Sequence, residues 1–391
     1  MASQNLVQEL SQPAGVPGQV YQLAALSGEI IFIPCSNSAT RLLVTGKETN
    51  NAFAVVGSGG TASAPIGFHF HRETHDVFLC LKGQVNVWCG DKARTMNPGD
   101  FASVPPVCSS LDNSFAIARD MKLTGIEYHP SVPICWGLYR VHRFDCSWRV
   151  IQLHCCFKGA QADAICSRWE EFFRFIGEPY AGPLFPLSDS RNPFEVLIPK
   201  LKAAAEQFDM VPVPYQKSFD PQPWDGTENK LPNGLEPYYL RAGAGPKYRL
   251  GATLCRPLIT TAQSGGKFTI ASIEGSSYHK TPIFSEGKSL VFPDAHHCFQ
   301  VAQGKISFTV AGKTAVLSEF ETLFIPAGTE FSFNYSSRLA KAYVFANGGG
   351  LVEVFLKLGK DYAPALMPET EEALDISSLP DLERELSFRL V

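Results

Sequence analysis

The sequence predicts an all-β protein with a helical linker, built as two jelly-roll β-barrels in tandem. Three observations carry this. First, the chain repeats itself. "DVFLCLKGQVNVWCG" (76–90) matches "HCFQVAQGKISFTVAG" (297–312), and "GDFASVPP" (99–106) matches "FETLFIPAG" (320–328). Gly83 and Gly304, Asp100 and Glu321, and Pro105 and Pro326 are each 221 positions apart. Second, both copies consist of short apolar runs broken by Gly, Pro, Asn and Asp, the texture of antiparallel strands joined by tight turns. Third, the stretch between the copies changes to helical spacing.

In chain order, "EIIFIPC" (29–35), "FAVVG" (53–57), "DVFLCLKG" (76–83), "QVNVWCG" (84–90) and "FASVPP" (101–106) are strands of the first barrel. "TRLLVTGKETNNAFAVV" (40–56) matches "CRPLITTAQSGGKFTIAS" (255–272) at an offset of 215, so a gap of six residues falls between the two matched blocks. "QADAICSRWEEFFRFIG" (161–177) has apolar residues at helical spacing and stops at Gly177. "NPFEVLIPKLKAAAEQF" (192–208) is a second helix, with Asn192 as cap, Pro193 at the first position and Pro199 as a kink. A loop rich in Pro, Asp and Gly follows, "DPQPWDGTENKLPNG" (220–234). The expected division is 1–160 for a first barrel carrying the active site, 161–240 for the linker, and 241–391 for a second barrel plus tail. The tail "TEEALDISSLPDLERELSFRLV" (370–391) reads as short helical turns on the surface.

Composition narrows the function. With 34 basic and 38 acidic residues and no basic block, nothing favours nucleic acid or an anionic membrane. The first twenty residues are polar and lack the pattern of a signal peptide, and no apolar window of membrane-spanning length occurs. The eleven cysteines show no regular framework. They read as reduced, buried thiols, which places the protein in the cytoplasm. The 28 Phe, 12 Tyr and 5 Trp suit aromatic-lined cavities.

The chemistry concentrates in "GFHFHRETHDVFLCLKG" (67–83). His69 and His71 are one residue apart on a strand, so both rings project from one face. Asp76 follows at the start of the next strand. Two imidazoles and a carboxylate make a metal-ligand set of the facial-triad kind or a proton-transfer cluster. Glu73 and His75, in the turn between, are substitutes for Asp76 if that turn shifts.

This stretch resembles the first cupin motif: a Gly, His-x-His, an acidic residue five positions on, and a closing Gly. "NPGDFASVPP" (97–106) resembles the start of the second. The two copies and the linker together resemble the fungal bicupins of the quercetin 2,3-dioxygenase type, over nearly the whole chain. The resemblance implies a metal in the first barrel held by three histidines and a glutamate, and oxygenolytic cleavage of a flavonol. Carried over, His69 and His71 match the paired histidines. The family's glutamate falls on Asp76, and its third histidine on Ser110. The same count in the second copy reaches Leu290, Phe292, His297 and Phe331, which cannot make a four-ligand site. The second barrel is then a filled core or an apolar pocket.

The departures from the ligand set turn the expected function towards a tailoring enzyme of secondary metabolism, in the fungal context that the resemblance implies. It would act on a bulky aromatic or polyketide-type small molecule by metal-independent acid–base or proximity catalysis: dehydration, isomerisation, or cyclisation including pericyclic ring closure. His69, His71, Asp76 and Glu73 are the catalytic set. Phe78, Ser110 and His129 are the substrate-binding set, and a homodimer is compatible. No cofactor is expected on that reading. On the alternative, a metal-dependent quercetin 2,3-dioxygenase-like oxygenase, His69, His71 and Asp76 hold Fe, Cu, Mn, Ni or Co. A third option is a non-catalytic ligand-binding bicupin. His142, His154 and His296 have no companion at ligand spacing and read as packed or solvated, and His279 falls in a loop. Arg41 and Arg256, matched across the repeat, read as a shared structural ion pair.

Overall fold

The computed structural model describes residues 6–61, 68–106, 148–156, 169–182, 184–186, 188–213, 219–279, 287–372 and 379–391. Ser110, His129 and His142 lie outside them. The repeat is realised strand for strand. Ser38–Val44 corresponds to Thr253–Ile259, Val85–Cys89 to Ile306–Val310, Lys92–Met96 to Lys313–Leu317, and Phe101–Val104 to Thr322–Ile325.

The correspondence extends to single hydrogen bonds. The register shifts at matching points, between Leu42 and Val44 and between Pro257 and Ile259. Asp100 accepts the Asn97 N–H at 2.8 Å, and Glu321 accepts that of Ser318 at 2.7 Å. Glu48 accepts the Thr45 N–H at 2.8 Å and Gln263 that of Thr260 at 2.9 Å. Thr49 and Ser264 each donate to a carbonyl four residues on, Phe53 and Phe268. Gly83 and Gly304 turn the chain at φ of 71° and 70°. A Cβ on Gly304 would come within 2.3 Å of the Leu339 carbonyl, so only glycine serves this turn.

Each copy contributes one large sheet, of eight and nine strands respectively. The two pack back to back through a shared apolar core that includes Leu43, Val55, Val77 and Phe101 from one and Ile259, Phe268, Ile270 and Phe345 from the other. Short arms are exchanged reciprocally. Tyr21–Leu23, at the start of the chain, pairs with Thr322–Ile325 of the second copy. Tyr238–Leu240, at the end of the linker, pairs with Phe101–Val104 of the first. Tyr21 then donates its hydroxyl back to the Leu43 carbonyl at 2.9 Å, and Tyr238 to that of Leu258 at 2.6 Å. The two arms therefore stitch the barrels together in equivalent ways.

The linker helices are Trp169–Ile176, Pro193–Val196 and Ile198–Gln207. The first ends at Gly177 as expected. Asn192 caps the second, accepting from the Phe194 N–H at 3.1 Å. At Pro199 the expected kink is a break into two helices, with Leu197 between them, because proline lacks the N–H of a continuous ladder. Trp169, Phe172, Ile176, Leu201 and Met210 pack on Ile31, Ile33, Leu42 and Val56 of the first sheet.

One expectation changes. The tail does more than cover the surface: Leu379, Leu382 and Phe388 are buried in the second barrel, and Arg389–Leu390 pairs with Leu290–Val291. Its apolar residues find a face there that the barrel leaves uncovered. Arg41 and Arg256, matched across the repeat, both reach backbone carbonyls. Arg41 donates to Leu26 at 2.9 Å and to Leu184, and Arg256 to Gly243. Cys35, Cys80, Cys89, Cys255 and Cys298 are free, and the last four are buried as expected. Burial pushes Cys80 and Cys89 up to about 12, which leaves them as inert thiols.

Candidate active site

The His-x-His pair lies on a short strand, His69–Phe70, and the turn that follows it. That strand pairs with a piece of the linker: Phe70 faces Val211, and His69 faces Pro212. The chain turns at Arg72 and Glu73 and enters the long strand Thr74–Lys82. Asp76 sits near its start. The strand continues through Phe78 and Cys80, whose side chains join Val85, Val87, Met96 and Tyr239 in the core of the first barrel. Asp76 and Phe78 are two residues apart and share a face. Phe78 is therefore a buried wall residue next to the carboxylate.

His69, His71 and Asp76 come together, with one ligand atom from each lying within 4.8 Å of the others. The imidazoles of His69 and His71 stand edge-on with centroids 5.1 Å apart. His71 Nε2 is 3.1 Å from Asp76 Oδ2, and both side chains are buried. Its Nδ1 is bonded to the backbone carbonyl of Asp209. The ring also meets Trp169 edge-on at 4.6 Å, and Trp169 stacks on Phe172 at 4.5 Å. Burial by itself disfavours the His71 imidazolium. The Asp76 carboxylate beside it and the Asp209 groups outweigh that, and the pKa lies above the ordinary value.

Glu73 is half-buried in the turn, and its carboxylate is not a member of the converging triplet. His75 does not substitute for Asp76. One residue away on the strand, it projects from the opposite face, where it bonds Ser103 Oγ at 2.8 Å and packs on Phe268 at 5.0 Å. Burial takes it down to about 3, so it is neutral at physiological pH. Ser110 and His129, expected in the site, lie outside the described residues.

Sequence reasoning missed Asp209 and Trp169. Asp209 is 138 residues from His71. No local pattern announces such a contact. Trp169 was visible only as one apolar residue of an amphipathic helix.

Among the described residues, the second barrel holds no such triplet. Leu290, Phe292 and Phe331 are core residues, and Phe292 stacks on Phe331 and on Phe388 at 6.0 and 5.7 Å. His297 accepts the Leu351 N–H at 3.0 Å, and burial, aided by His296, takes it down to about 3. It is a neutral structural acceptor. Of the two readings of this barrel, the filled core is the one observed. His296 is packed as expected, accepting the Ala327 N–H at 3.1 Å.

The site's donor chemistry fits a divalent transition metal. Two imidazole nitrogens and one carboxylate oxygen converge, which is the composition of a facial triad. With Nδ1 of His71 committed to a carbonyl, its buried Nε2 faces a carboxylate and has no properly directed hydrogen bond.

Among known proteins, no family model matches the chain. It is 22% identical over 363 residues to a quercetin 2,3-dioxygenase of Aspergillus japonicus, covering 84% of this chain and 89% of that one. It is 24% identical over 196 residues to a quercetin 2,3-dioxygenase of Bacillus subtilis (strain 168), covering 50% of this chain and 46% of the other. Among solved structures it is similar to the salicylate 1,2-dioxygenase of Pseudoaminobacter salicylatoxidans, at 10% identity and a TM-score of 0.41, with 80% of this chain and 75% of that one covered.

Proposed function

The chain is a bicupin of the cupin superfamily, and from that premise we propose that it is an enzyme whose first barrel transforms a bulky aromatic or polyketide-type small molecule at His69, His71 and Asp76. The observation that carries this is the convergence of those three side chains in one barrel, against a filled apolar core at the equivalent positions of the other. A storage or scaffold role gives no reason for that asymmetry. The quercetin 2,3-dioxygenase relatives, being enzymes of a small aromatic substrate by their names, support the same class.

The reaction class follows from counting acceptors around His71. Nδ1 meets a carbonyl and Nε2 meets a carboxylate. An imidazole between two acceptors carries two protons, or else it shares Nε2 with a cation. With a proton at Nε2, the His71–Asp76 pair is a buried acid beside a second imidazole, His69. Such a cluster protonates a leaving hydroxyl or polarises a carbonyl, then takes the proton back. Dehydration, isomerisation and ring closure of a bound aromatic need no more than this and a cavity that holds the reacting ends together. Glu73, in the adjoining turn, is the candidate for an accessory base, and Phe78 for the wall that the substrate meets.

The second reading is favoured by the donor set itself. His69, His71 and Asp76 would hold a divalent transition metal, which supplies Lewis-acid or oxygen-dependent chemistry when bound. On either reading the chain's residues do the same work: they orient the substrate and control charge at Nε2 of His71.

Elemental analysis of protein purified without chelator, paired with oxygen uptake on a flavonol and turnover of hydroxylated polyketide aromatics, separates the two. On the acid–base reading, EDTA-treated protein keeps its turnover. His69→Ala then loses about 10²–10⁴-fold in rate with no change in metal content. A stoichiometric metal whose removal abolishes turnover gives the second reading instead.

A further inference from the structure

We propose that Asp209, in the linker, is the positioning residue of the His69–His71–Asp76 centre. It clamps the turn that bears His71 and decides which nitrogen of that ring faces Asp76. This rests on the reading of the triplet as the reacting centre.

One linker residue engages the whole turn. The Asp209 carboxylate accepts three consecutive backbone N–H groups: Arg72 on Oδ1 at 2.9 Å, and Glu73 and Thr74 on Oδ2 at 2.8 and 2.9 Å. The carbonyl of the same residue takes His71 Nδ1. Two residues on, the linker becomes the strand that pairs with Phe70 and His69, and the Val213 N–H donates to the Phe68 carbonyl at 2.7 Å. A turning chain has no ladder partners for its N–H groups, and a carboxylate satisfies several at once with charge-assisted bonds. The carbonyl is thereby kept in register with the ring.

The consequence is chemical. Nδ1 keeps its hydrogen for the Asp209 carbonyl, so whatever exchanges at this imidazole, proton or cation, does so at Nε2 beside Asp76. The Asp209 carboxylate bonds the backbone of the turn, so its effect passes through His71. The second copy shows the contrast. There Asn347, on that barrel's own strand, accepts the His296 N–H at 2.7 Å and donates to the Asp294 carbonyl at 2.9 Å. Among the described residues, the first barrel hands its turn to the linker and the second keeps its own on Asn347.

The test reads the ring directly, by long-range ¹H–¹⁵N correlation of the full chain labelled at histidine. In the wild type, His71 Nδ1 is expected in the protonated range. Asp209→Ala is expected to move that nitrogen towards the unprotonated range as the ring takes up both tautomers, with His296 and His297 unmoved. Asp209→Asn, which keeps one acceptor oxygen, is expected to fall between. A wild-type ring with Nδ1 unprotonated overturns the proposal, as does Asp209→Ala folding with an unchanged His71 signal. If the alanine variant does not fold, the wild-type and asparagine spectra decide. No turnover is needed, so failure of the acid–base reading and failure of this one are told apart.

Discussion

Two histidines of equivalent burial have opposite electrostatic fates. His71 has an acidic partner and its pKa is raised. His297 has none, accepts a backbone N–H, and is held down to about 3 by burial and by His296. The pH consequence of His297 has a definite sign. Its folded pKa lies below the unfolded value near 6.5, so between about 3 and 6.5 the unfolded chain binds the extra proton. Stability is full above about 6.5 and falls with acidification, by up to about 1.4 kcal/mol per pH unit from this group. His297→Gln keeps an acceptor for the Leu351 N–H and removes the titration. Denaturant unfolding at pH 4.5 and 7 is expected to show a smaller pH difference in that variant than in the wild type. Gly350, at φ +49° with a Cβ position 2.8 Å from His297 Nε2, has no room for a side chain beside that bond.

At the scale of elements, the matching caps make a sharper test of the repeat than strand boundaries do. Glu48 is fully buried and accepts from Thr45 and from Gly15. Glu48→Ala strands those donors and is expected to cost about 2–3 kcal/mol. Glu48→Gln is expected to cost less, because Gln263 performs the same capping in the second copy and only the Gly15 bond is forfeited. Urea midpoints of the two variants check the order. These caps were legible: "TGKET" and "TTAQS" stand 215 positions apart with Thr in the lead. The break at Pro199 was legible too, as a kink, since proline's missing N–H is a property of the residue. The tail was misjudged because "LPDLERELSF" has only a few apolar residues, and their burial depends on an opening in the second barrel.

At the scale of the whole molecule, the reciprocal arms bind the two barrels into one unit. Tyr21 is fully buried, lies 5.4 Å from Phe324, and bonds Leu43 across the interface. Tyr21→Phe and Tyr238→Phe each remove one buried cross-barrel hydrogen bond and are expected to cost about 1–2 kcal/mol, by similar amounts. Removal of residues 1–24 bares the edge of Thr322–Ile325. Light scattering is expected to show association of the truncated chain, as unpaired strand edges recruit other edges. Among the described residues no helix is long and apolar enough to cross a membrane.

The sequence by itself determined the repeat, the strand and turn pattern, the helical linker and the His69–His71–Asp76 triplet. The repeat shows as one pattern recurring at offsets of 221 and 215 positions, and the rest is set by periodicity, by glycine and proline stereochemistry, and by local spacing. The tertiary structure alone decided the rest. It set His75 on the far face of its strand, exchanged the arms, filled the second barrel, and brought Asp209 across 138 residues to hold His71. Such contacts depend on which surfaces the folded barrels leave open, and a single sequence carries no local mark of that.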